Sequence, residues 1–398
     1  MIKVGITGQA GFVGTHLYNT LGLHPDKFQR IPFKDSYFKN EEQLKEFVSQ
    51  CDAIVHLAAM NRHNDPEVVY STNIGLVKQL IEACEETDSK PHILFSSSTQ
   101  EERDNLYGKS KKEGRELFEA WAQRNSAPFT GLVIPNVFGP FGHPYYNSVV
   151  ATFCHQLTHS ETPKIEVDGE LKLIYVGELV DIMVTKIEGT LITQIQQIDS
   201  DISENPCPTD AVRRVSNQCH QCSINHTAKI KVSSLLQLLK SYKENYFAKG
   251  IFPNLDNPFE RNLFNTFVCY IDHKTFFPFH LDLKTDDRGS FVETVKLNSG
   301  GQVSFSTTKP GITRGNHFHT RKAERFAVIK GKARIELRRI GTNEVLSFEL
   351  DGSQPSFVDM PIWYTHNITN IGDEEVYTIF WISEHFDADD TDTFFETV

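Results

Sequence analysis

The first half of the chain alternates between short unbroken hydrophobic runs and longer stretches with helical periodicity. Unbroken runs occupy Ile2–Thr7, residues 53–59 and His92–Ser98, and their length and lack of breakers are typical of buried parallel strands. Residues 15–21 and 68–84 repeat apolar positions with the period of a helix. This alternation predicts an α/β fold built on a parallel sheet.

The last third of the chain has a different residue pattern, in which short strand-like runs alternate with turns that contain Gly, Asn and Asp. From about residue 279 this pattern predicts an all-β domain. The runs cover residues 290–297, 302–307, 326–329, 333–338, 344–350 and 377–382. Helical periodicity precedes the domain at residues 145–159, 176–188 and 231–246. An aromatic-rich connector, residues 252–277, follows, and we expect it to pack between domains.

Three glycines follow the first predicted strand within the sequence GQAGFVG. Gly8, Gly11 and Gly14 stand between that strand and a predicted helix. Such glycines let the backbone approach a pyrophosphate, and the helix N-terminus supplies N–H groups and the positive end of its dipole. The motif is common by itself, but its position directly after a strand at the start of the chain predicts a dinucleotide site.

The region after the second predicted strand, residues 27–33, bears on the choice of cofactor. An NAD-preferring site places an acidic residue at the end of this strand to bond the ribose hydroxyls. No acid occurs there before Asp35, whereas Arg30 and Lys34 are present. These cations favour NADPH over NADH. The alternative is that they are ordinary solvated surface charges.

A serine, a tyrosine and a lysine follow in an order that suits proton transfer. The strand His92–Ser98 ends in three serines, and Tyr107 and Lys111 lie four residues apart in YGKSK, on one face of a helix. A nearby ammonium lowers the pKa of a phenol, which can then exchange a proton with a substrate oxygen while hydride moves to or from carbon. The serine hydroxyl holds the same oxygen.

At these residues the first half resembles the extended short-chain dehydrogenase/reductase family, which acts on nucleotide sugars. The resemblance runs from Met1 to about Gly189. It implies a Rossmann domain that binds NAD(P), with Leu57 and Ala58 beneath the nicotinamide. The implied contacts of the glycine turn are Gly8, Gly11, Phe12, Val13 and Gly14.

The same resemblance implies roles for the proton-transfer residues. Tyr107 is then the general acid and Lys111 its partner. Ser98 is the third member, with Ser97 as the alternative. Asn136, in PNVFGP, matches the asparagine that precedes the substrate-binding half. Val133 stands where relatives often have arginine, which implies that one substrate contact of the family is lost here.

The segment from about residue 191 to 228 has little periodicity. Cys207, Cys219, Cys222 and His226 lie in it, and a CxxC followed by His is one form of a zinc knuckle. The segment is short and polar, and a fourth ligand has to be chosen freely. We therefore interpret residues 195–228 as a flexible insertion.

Histidines and a glutamate cluster within the predicted all-β domain. A strand that carries His317 and His319 points both to one face. A turn through residues 320–323 brings Glu324 beside them, and His366 follows in MPIWYTHNITN. Imidazole nitrogens and a carboxylate oxygen suit Zn, Fe, Ni or Mn. The sequence predicts one divalent metal, with Zn the first choice.

The spacing around these ligands resembles the two cupin motifs. Gly311 to Gly331 matches the first motif position for position, and Pro361 to Asn370 matches the second. Trp363 stands where the second motif usually has glycine. The resemblance implies a jelly-roll barrel. The alternatives are a row of surface histidines on a β-protein and a cupin that holds no metal in the cell.

Composition and charge limit the partners and the compartment. The chain has 398 residues, enough for two or three domains, and a net charge of −12, which argues against nucleic acid or an anionic membrane as partner. No apolar run reaches the length of a membrane span. No signal-peptide pattern is evident, and seven mostly scattered cysteines predict a reducing cytoplasm.

Taken whole, including TDDRGSF, KPGITRGNHFH, YTHNI and TDTFFETV, the chain resembles the CapF-like bifunctional enzymes of capsule and O-antigen biosynthesis. The resemblance implies a UDP-amino-sugar substrate on the way to UDP-N-acetyl-L-fucosamine. The cupin domain then inverts C3 of UDP-2-acetamido-2,6-dideoxy-4-hexulose. The reductase domain next reduces the C4 ketone with NADPH to UDP-2-acetamido-2,6-dideoxy-L-talose.

The sequence also predicts the domain boundaries and the oligomeric state. We predict a reductase domain over residues 1–250, a connector over 251–278 and a cupin domain over 279–398. A homodimer through the cupin domain is expected, because apolar strand surface is supplied by Phe291, Val303 and Phe305. Two other functions stay open: a simple NADPH-dependent C4 reductase with a dimerising cupin, and a non-catalytic nucleotide sensor or scaffold. The Tyr107–Lys111 pair argues against the sensor.

Overall fold

The computed structural model describes residues 1–201, 220–287 and 289–398. Contacts divide the chain into two units. The first unit comprises Met1–Val137 and Lys172–Thr227, and the second comprises Phe138–Leu171 and Ala228–Val398. Within the described residues, no helix has both the length and the apolar character that a membrane crossing demands.

The first unit is built on a six-stranded parallel sheet. Its first five strands are β1 (Ile2–Thr7), β2 (Phe28–Ile31), β3 (Ala53–His56), β4 (His92–Ser98) and β5 (Phe129–Ile134). Two short strands follow in the chain, β6 (Asn136–Phe138) and β7 (Glu170–Tyr175), and β8 (His220–Ser223) returns to the sheet. The spatial order is β2-β1-β3-β4-β5-β8. The predicted parallel sheet is confirmed.

Helices flank this sheet and bury one apolar stripe each. They are α1 (Phe12–Gly22), α2 (Glu41–Ser49), α3 (Pro66–Glu86) and α4 (Leu106–Asn125). Separate core clusters lie on its two faces, one around Trp121 and Phe118 and the other around Leu17 and Leu179. Two covered faces explain why the strands read as continuous hydrophobic runs.

Two elements depart from the predicted insertion at residues 195–228. Helix α6 (Val176–Asp201) runs past the predicted end at 188, and β8 pairs in parallel with β5. The pairing of β8 uses backbone groups, which leave no pattern in so short and polar a sequence. Cys222 lies on β8 and packs against the core, so it belongs to the sheet. Cys207 and Cys219, which with Cys222 and His226 raised the alternative of a zinc knuckle, lie outside the described residues.

The second unit begins with helices and short strands. These are α5 (Val149–Thr158), β9 (Ala228–Lys231), α7 (Val232–Tyr242), β10 (Ile251–Phe252), α8 (Pro258–Val268) and α9 (His273–Phe276). Contacts group residues 228–278 with the C-terminal β-domain, whereas the sequence pattern assigned residues up to 250 to the reductase domain. The aromatic connector packs on the β-domain, with the Phe252 ring 4.5 Å from that of Trp381.

A buried ionic network ties these helices to the β-domain. The Arg325 guanidinium donates to both carboxylate oxygens of Asp359, at 2.7 and 2.8 Å, and to the carbonyl oxygen of Gly250 at 2.7 Å. The Tyr246 hydroxyl donates to the same carboxylate at 2.7 Å. Both charges are buried, so their hydrogen bonds must satisfy them inside the protein.

Two five-stranded antiparallel sheets form the β-domain. Short strands lead into it: β11 (Phe279–His280), β12 (Lys284–Asp286), β13 (Gly289–Phe291) and β14 (Lys296–Leu297). The longer strands are β15 (Gln302–Thr308), β16 (Thr313–Phe318), β17 (Glu324–Lys330), β18 (Lys332–Arg339), β19 (Val345–Asp351), β20 (Ser356–Met360), β21 (Tyr364–Asn370) and β22 (Val376–Ile382), and the short β23 (Phe394–Phe395) follows.

The two sheets share one core. Their orders are β11-β20-β17-β22-β15 and β19-β18-β21-β16-β23. Ala327 and Phe357 of one sheet cluster with Ile335 and Ile368 of the other, as in a sandwich packed face to face. The predicted order, a Rossmann-like domain followed by an all-β domain, is confirmed, and the two antiparallel sheets are consistent with a cupin-type fold. The run predicted over 290–297 is instead divided between β13 and β14.

Candidate nucleotide and metal sites

The glycine turn between β1 and α1 has a geometry that side chains would block. Gly8 has φ of +70°, and a Cβ there would lie 2.8 Å from the amide nitrogen of Ala58. A Cβ on Gly14 would lie 2.3 Å from the carbonyl oxygen of Gly8. Helix α1 begins after Gly11, which offers no side-chain cap. The turn therefore fits a pyrophosphate bound by backbone N–H groups.

This turn lies where the strand order of the sheet reverses. β1 is flanked by β2 on one side and β3 on the other, so successive crossovers leave it in opposite directions. Ligands of open α/β sheets bind at the carboxyl ends of such strands. Gly8 follows β1, and the segment after β3 contains Leu57 and Ala58, whose backbone packs against Gly8. These predicted cofactor contacts are thus brought together.

Asn73 fixes the loop after β3, a role that its sequence position does not predict. Its side chain accepts from the Met60 amide at 2.7 Å and donates to the Met60 carbonyl oxygen at 3.0 Å. It also donates to the Ser110 hydroxyl at 3.0 Å, on the helix that carries Tyr107 and Lys111. Asn73 is buried on α3, and no spacing in the sequence marks it.

Lys111 is buried at the carboxyl end of β4. Its ammonium donates to the carbonyl oxygen of Ser96 at 2.9 Å and lies 5.9 Å from the centre of the Tyr107 ring. Burial lowers the pKa of Lys111 to about 8, and the charge of Glu101 works in the opposite direction. An ammonium so close to a phenol favours the ionised phenol, which makes Tyr107 a better proton donor near neutral pH.

The two candidate serines have different hydrogen-bond partners, and these partners distinguish them. The Ser97 hydroxyl donates to Glu101, which is also bound by two nitrogens of Arg115. Alternation along β4 points Ser98 to the opposite face, where its hydroxyl accepts from the Gln100 amide at 3.2 Å. Ser97 is occupied by a buried ion pair, so the arrangement favours Ser98 as the substrate contact.

Arg30 does not lie at the glycine turn. Its guanidinium covers the Tyr18 ring at 4.3 Å and donates to the Tyr18 carbonyl oxygen at 3.2 Å. Tyr18 is six residues from the first residue of α1, or about 9 Å along the helix at 1.5 Å per residue. The predicted role of Arg30 in cofactor binding is therefore not supported. Lys34, three residues beyond the end of β2, is exposed, and Asn136 on β6 is also exposed.

Four predicted ligands converge inside the β-domain. His317 on β16 faces His366 on β21 in register, Glu324 opens β17, and His319 lies in the loop between β16 and β17. One ligand atom from each residue lies within 4.8 Å of all the others. Three of these residues are buried and His317 is half-buried.

The facing atoms of this cluster lack ordinary hydrogen-bond partners. One Glu324 oxygen lies 3.2 Å from Nε2 of His319 and 3.2 Å from Nε2 of His366. None of these three buried atoms makes a hydrogen bond of acceptable geometry. Unsatisfied buried polar atoms cost about 1–3 kcal/mol each. A divalent cation bound by three nitrogens and one oxygen would remove that cost.

The charge states of His317 and Glu324 also suit a cation. Burial lowers the pKa of His317 to about 4, with His366 acting in the same direction, so His317 is neutral at pH 7. Burial acts to raise the pKa of Glu324, but the His319 and His366 imidazoles hold that pKa below its usual range. Metal ligands must be deprotonated, as a neutral imidazole and a carboxylate are.

Two protein-family models match the chain. The NAD dependent epimerase/dehydratase family matches residues 4–190, and the Polysaccharide biosynthesis C-terminal domain matches residues 284–394. With the glycine turn and the Tyr107–Lys111 pair, they define the class: an α/β domain of the epimerase/dehydratase type joined to a β-domain of polysaccharide biosynthesis.

Relatives that match the full length are more specific. A UDP-2-acetamido-2,6-beta-L-arabino-hexul-4-ose reductase of Pseudomonas aeruginosa is 31% identical over 395 residues, or 99% of this chain and 98% of that protein. The crystal structure of the capsular polysaccharide assembling protein CapF from Staphylococcus aureus covers 100% of both chains with 33% identity and a TM-score of 0.60. CapF with the inhibitor 3-isopropenyl-tropolone also covers 100% of both, with 30% identity and a TM-score of 0.56. The chain belongs to this CapF-like family.

Proposed function

We propose that the chain is a bifunctional nucleotide-sugar enzyme. Its β-domain epimerises C3 of UDP-2-acetamido-2,6-dideoxy-4-hexulose, and its N-terminal domain reduces the C4 ketone with NADPH to UDP-2-acetamido-2,6-dideoxy-L-talose. The observation that carries the proposal is the pairing of two chemistries in one chain: the buried Lys111 beside Tyr107, and the convergent ligands of the β-domain.

The reduction adds a hydride and a proton across the C4 carbonyl. NADPH, when bound, supplies the hydride and leaves as NADP⁺. Tyr107 donates its phenolic proton to the C4 oxygen as that oxygen gains negative charge, and Ser98 donates a hydrogen bond to the same oxygen. The Lys111 ammonium stabilises the phenolate that remains, because it is held 5.9 Å from the ring centre.

The epimerisation removes the C3 proton and returns a proton to the opposite face. A proton next to a ketone is acidic because the negative charge left behind spreads onto the ketone oxygen. A divalent metal in the β-domain would supply Lewis acidity for that oxygen. His317, His319, Glu324 and His366 would hold and orient it there. Zn is the first choice, since three imidazoles and one carboxylate are common zinc ligands.

The order of the two reactions follows from their chemistry. The C4 ketone that acidifies the C3 proton is also the group that accepts hydride. Epimerisation must therefore precede reduction, because the alcohol product no longer activates C3. The tropolone bound to a related CapF structure also fits a metal, since the adjacent oxygens of tropolones chelate metal ions.

The compartment and the assembly state are also part of the proposal. The described cysteines Cys51, Cys84, Cys154, Cys222 and Cys269 are free, which supports a reducing cytoplasm. Val303 and Phe305 alternate along the edge strand β15 and are each 59% exposed. Apolar residues on an open edge favour pairing with a second copy.

The homodimer is tested on the full-length chain. The double variant Val303→Lys, Phe305→Glu should be monomeric in light scattering while the wild type is dimeric. Val345→Glu is the matched control, because Val345 is exposed on the edge strand β19 of the other sheet and should leave the dimer intact. A double variant that stays dimeric would place the interface elsewhere.

The bifunctional proposal is tested by incubation with the 4-keto sugar in D₂O. Without NADPH, we expect deuterium to enter at C3 and the C3 epimer to accumulate. With NADPH, we expect the C4 alcohol that carries deuterium at C3. Removal of divalent metal with a chelator should stop the exchange at C3, and added Zn²⁺ should restore it. Reduction without any C3 exchange would leave the simple C4 reductase with a non-catalytic cupin.

A further inference from the structure

The two strand-borne histidines of the cluster are oriented by their own strands. Nδ1 of His366 lies 3.3 Å from the carbonyl oxygen of Tyr364, and His317 contacts the backbone of Gly315. Each partner lies two residues earlier on the same strand. Formation of β16 and β21 is therefore sufficient to orient these two rings.

His319 lies in a loop and has a remote partner. Its Nδ1 is 2.5 Å from the carbonyl oxygen of Asp392, 73 residues further along the chain. A carbonyl oxygen only accepts, so Nδ1 carries a proton and Nε2 is the nitrogen that can offer a lone pair to a metal. That nitrogen is the one aimed at Glu324. The hydrogen bond thus fixes both the tautomer and the direction of the ring.

The carboxylate of Asp392 holds the loop that follows His319. One oxygen accepts from the Thr320 amide at 3.0 Å and the Thr320 hydroxyl at 2.6 Å. The other accepts from the amides of Arg321 and Lys322 at 3.1 and 3.0 Å. Asp392 is only 5% exposed, so its charge is neutralised by these four donors and not by solvent.

The two residues before Asp392 also bind the loop between β16 and β17. Asp390 accepts from the Arg321 guanidinium at 2.7 Å, and the Thr391 carbonyl oxygen accepts from the Lys322 ammonium at 2.8 Å. Lys322 is 2% exposed, so this bond is internal. Residues 390–392, the C-terminal clasp, therefore hold consecutive residues of the loop between β16 and β17.

We propose that Asp392 is a positioning residue of the metal site, and that the C-terminal clasp completes this site by orienting His319. The inference rests on the proposed metal function, which it extends to a residue outside the ligand set. Asp392 acts twice: its carboxylate shapes the loop, and its carbonyl oxygen orients the ligand. Loss of such outer partners commonly weakens metal binding about 10–100-fold.

The test compares variants of the full-length protein. In Asp392→Asn the amide keeps the size of the side chain but has one acceptor oxygen for four donors, and in Asp392→Ala no acceptor remains. Asp389→Asn is the matched control, because Asp389 is an exposed carboxylate of the same segment. Zn²⁺ affinity is measured by competition with a chromogenic chelator. The visible absorption of Co²⁺-loaded protein reports ligand geometry.

We expect Asp392→Asn to bind Zn²⁺ about 10-fold more weakly and Asp392→Ala about 100-fold more weakly, with an altered Co²⁺ spectrum in both. Thr320→Val removes one of the four donors and leaves the backbone intact, so it should change affinity in the same direction by less. This variant keeps the test valid if the Asp392 variants do not fold. The control should match the wild type.

The possible results distinguish failure of the positioning role of Asp392 from failure of the metal site itself. A wild type that binds no divalent metal refutes the metal site itself. A wild type that binds Zn²⁺ tightly, with Asp392 variants of equal affinity and unchanged Co²⁺ spectrum, refutes only the positioning role. A lower melting temperature of the metal-free variants with unchanged Zn²⁺ affinity also refutes it, because the clasp would then serve stability alone.

Discussion

The glycine turn and the metal cluster differ in how far apart in the chain their parts lie. The turn uses the backbone of Gly8, Gly11 and Gly14, and its contact with Ala58 comes from the segment that follows the adjacent strand. The metal cluster draws two ligands from one sheet and one from the other, and a fourth ligand depends on Asp392. A site made of local backbone tolerates distant changes, whereas a site gathered from remote segments depends on each of them.

The largest expected effect tests whether the two sites work separately. Tyr107→Phe removes the proton donor and should lower kcat/KM for C4 reduction by about 10²–10⁴-fold. Deuterium exchange at C3 should be unchanged, because Tyr107 belongs to the first unit and the His/Glu cluster to the second. The measurement is NADPH oxidation beside mass-spectrometric exchange on one preparation. Loss of both activities would mean that they share one site.

His317→Ala is the corresponding change in the β-domain. It removes one strong ligand, so metal affinity and C3 exchange should both fall steeply, while NADPH binding is retained. The melting temperature should fall as well, since a metal bound only by the folded state stabilises it. His280→Ala, at an exposed histidine of the same domain, is the control. A metal-free, folded His317→Ala protein that exchanges at the wild-type rate would contradict a catalytic metal.

The pH dependence of reduction and of stability should reveal the role of Lys111. Because the pKa of Lys111 is lowered to about 8, its ammonium is lost as pH rises through that value, and reduction should fall up to about 10-fold per pH unit above it. Stability should change in the opposite direction. Between about 8 and the unfolded pKa of about 10.4, the unfolded chain binds more protons than the folded one, so the folded state gains stability.

The profile is measured as kcat/KM for reduction and as melting temperature across pH 7–10. Lys109→Met provides the control, since Lys109 is an exposed lysine of the same helix and should leave both curves unchanged. Lys111→Met should remove the descending limb of the reduction profile along with most of the activity. A wild-type reduction rate that is flat to pH 10 would contradict this role of Lys111.

The smallest expected effect concerns the choice between NADPH and NADH. We expect a higher kcat/KM with NADPH. Lys34→Ala should lower that value about 10-fold, which corresponds to loss of one charge-assisted hydrogen bond, and should leave NADH kinetics unchanged. Arg30→Ala should not change the ratio, because Arg30 is bound to Tyr18. A wild type that uses NADH equally well would overturn the preference.

Features with a recognisable pattern or spacing in the sequence were predictable, whereas contacts between distant segments were not. Strand β1, the glycine turn and α1 follow from a hydrophobic run, three glycines and a helical period within 22 residues. The ligands of the β-domain follow from a spacing that the structure brings together. Strand β8 escaped prediction because it is short, polar and held by backbone pairing to β5.

The direction of a side chain, which the sequence does not show, explains the other differences between prediction and structure. Arg30 lies on the strand expected to bind the cofactor, yet its side chain packs on Tyr18, and a charge pattern carries no information on such a choice. Asn73 and Asp392 act through hydrogen bonds to residues far along the chain. An asparagine in a helix and an aspartate in an acidic segment have no spacing that distinguishes them from surface residues.

The Arg325 network has a consequence for exchanging modules between relatives. The guanidinium lies 3.5 Å from the Phe357 ring centre and 4.8 Å from that of Phe252, and it binds the carbonyl oxygen of Gly250. A graft that joins a foreign β-domain at residue 279 would separate Arg325 from Gly250 and Phe252, and Asp359 from Tyr246. The two hydrogen bonds that would be lost, from Arg325 to Gly250 and from Tyr246 to Asp359, each involve a charged group, and such bonds contribute about 1.5–3 kcal/mol. Chimeras joined near residue 228 keep the helices with the barrel they support, and that junction is the place to exchange one barrel for another.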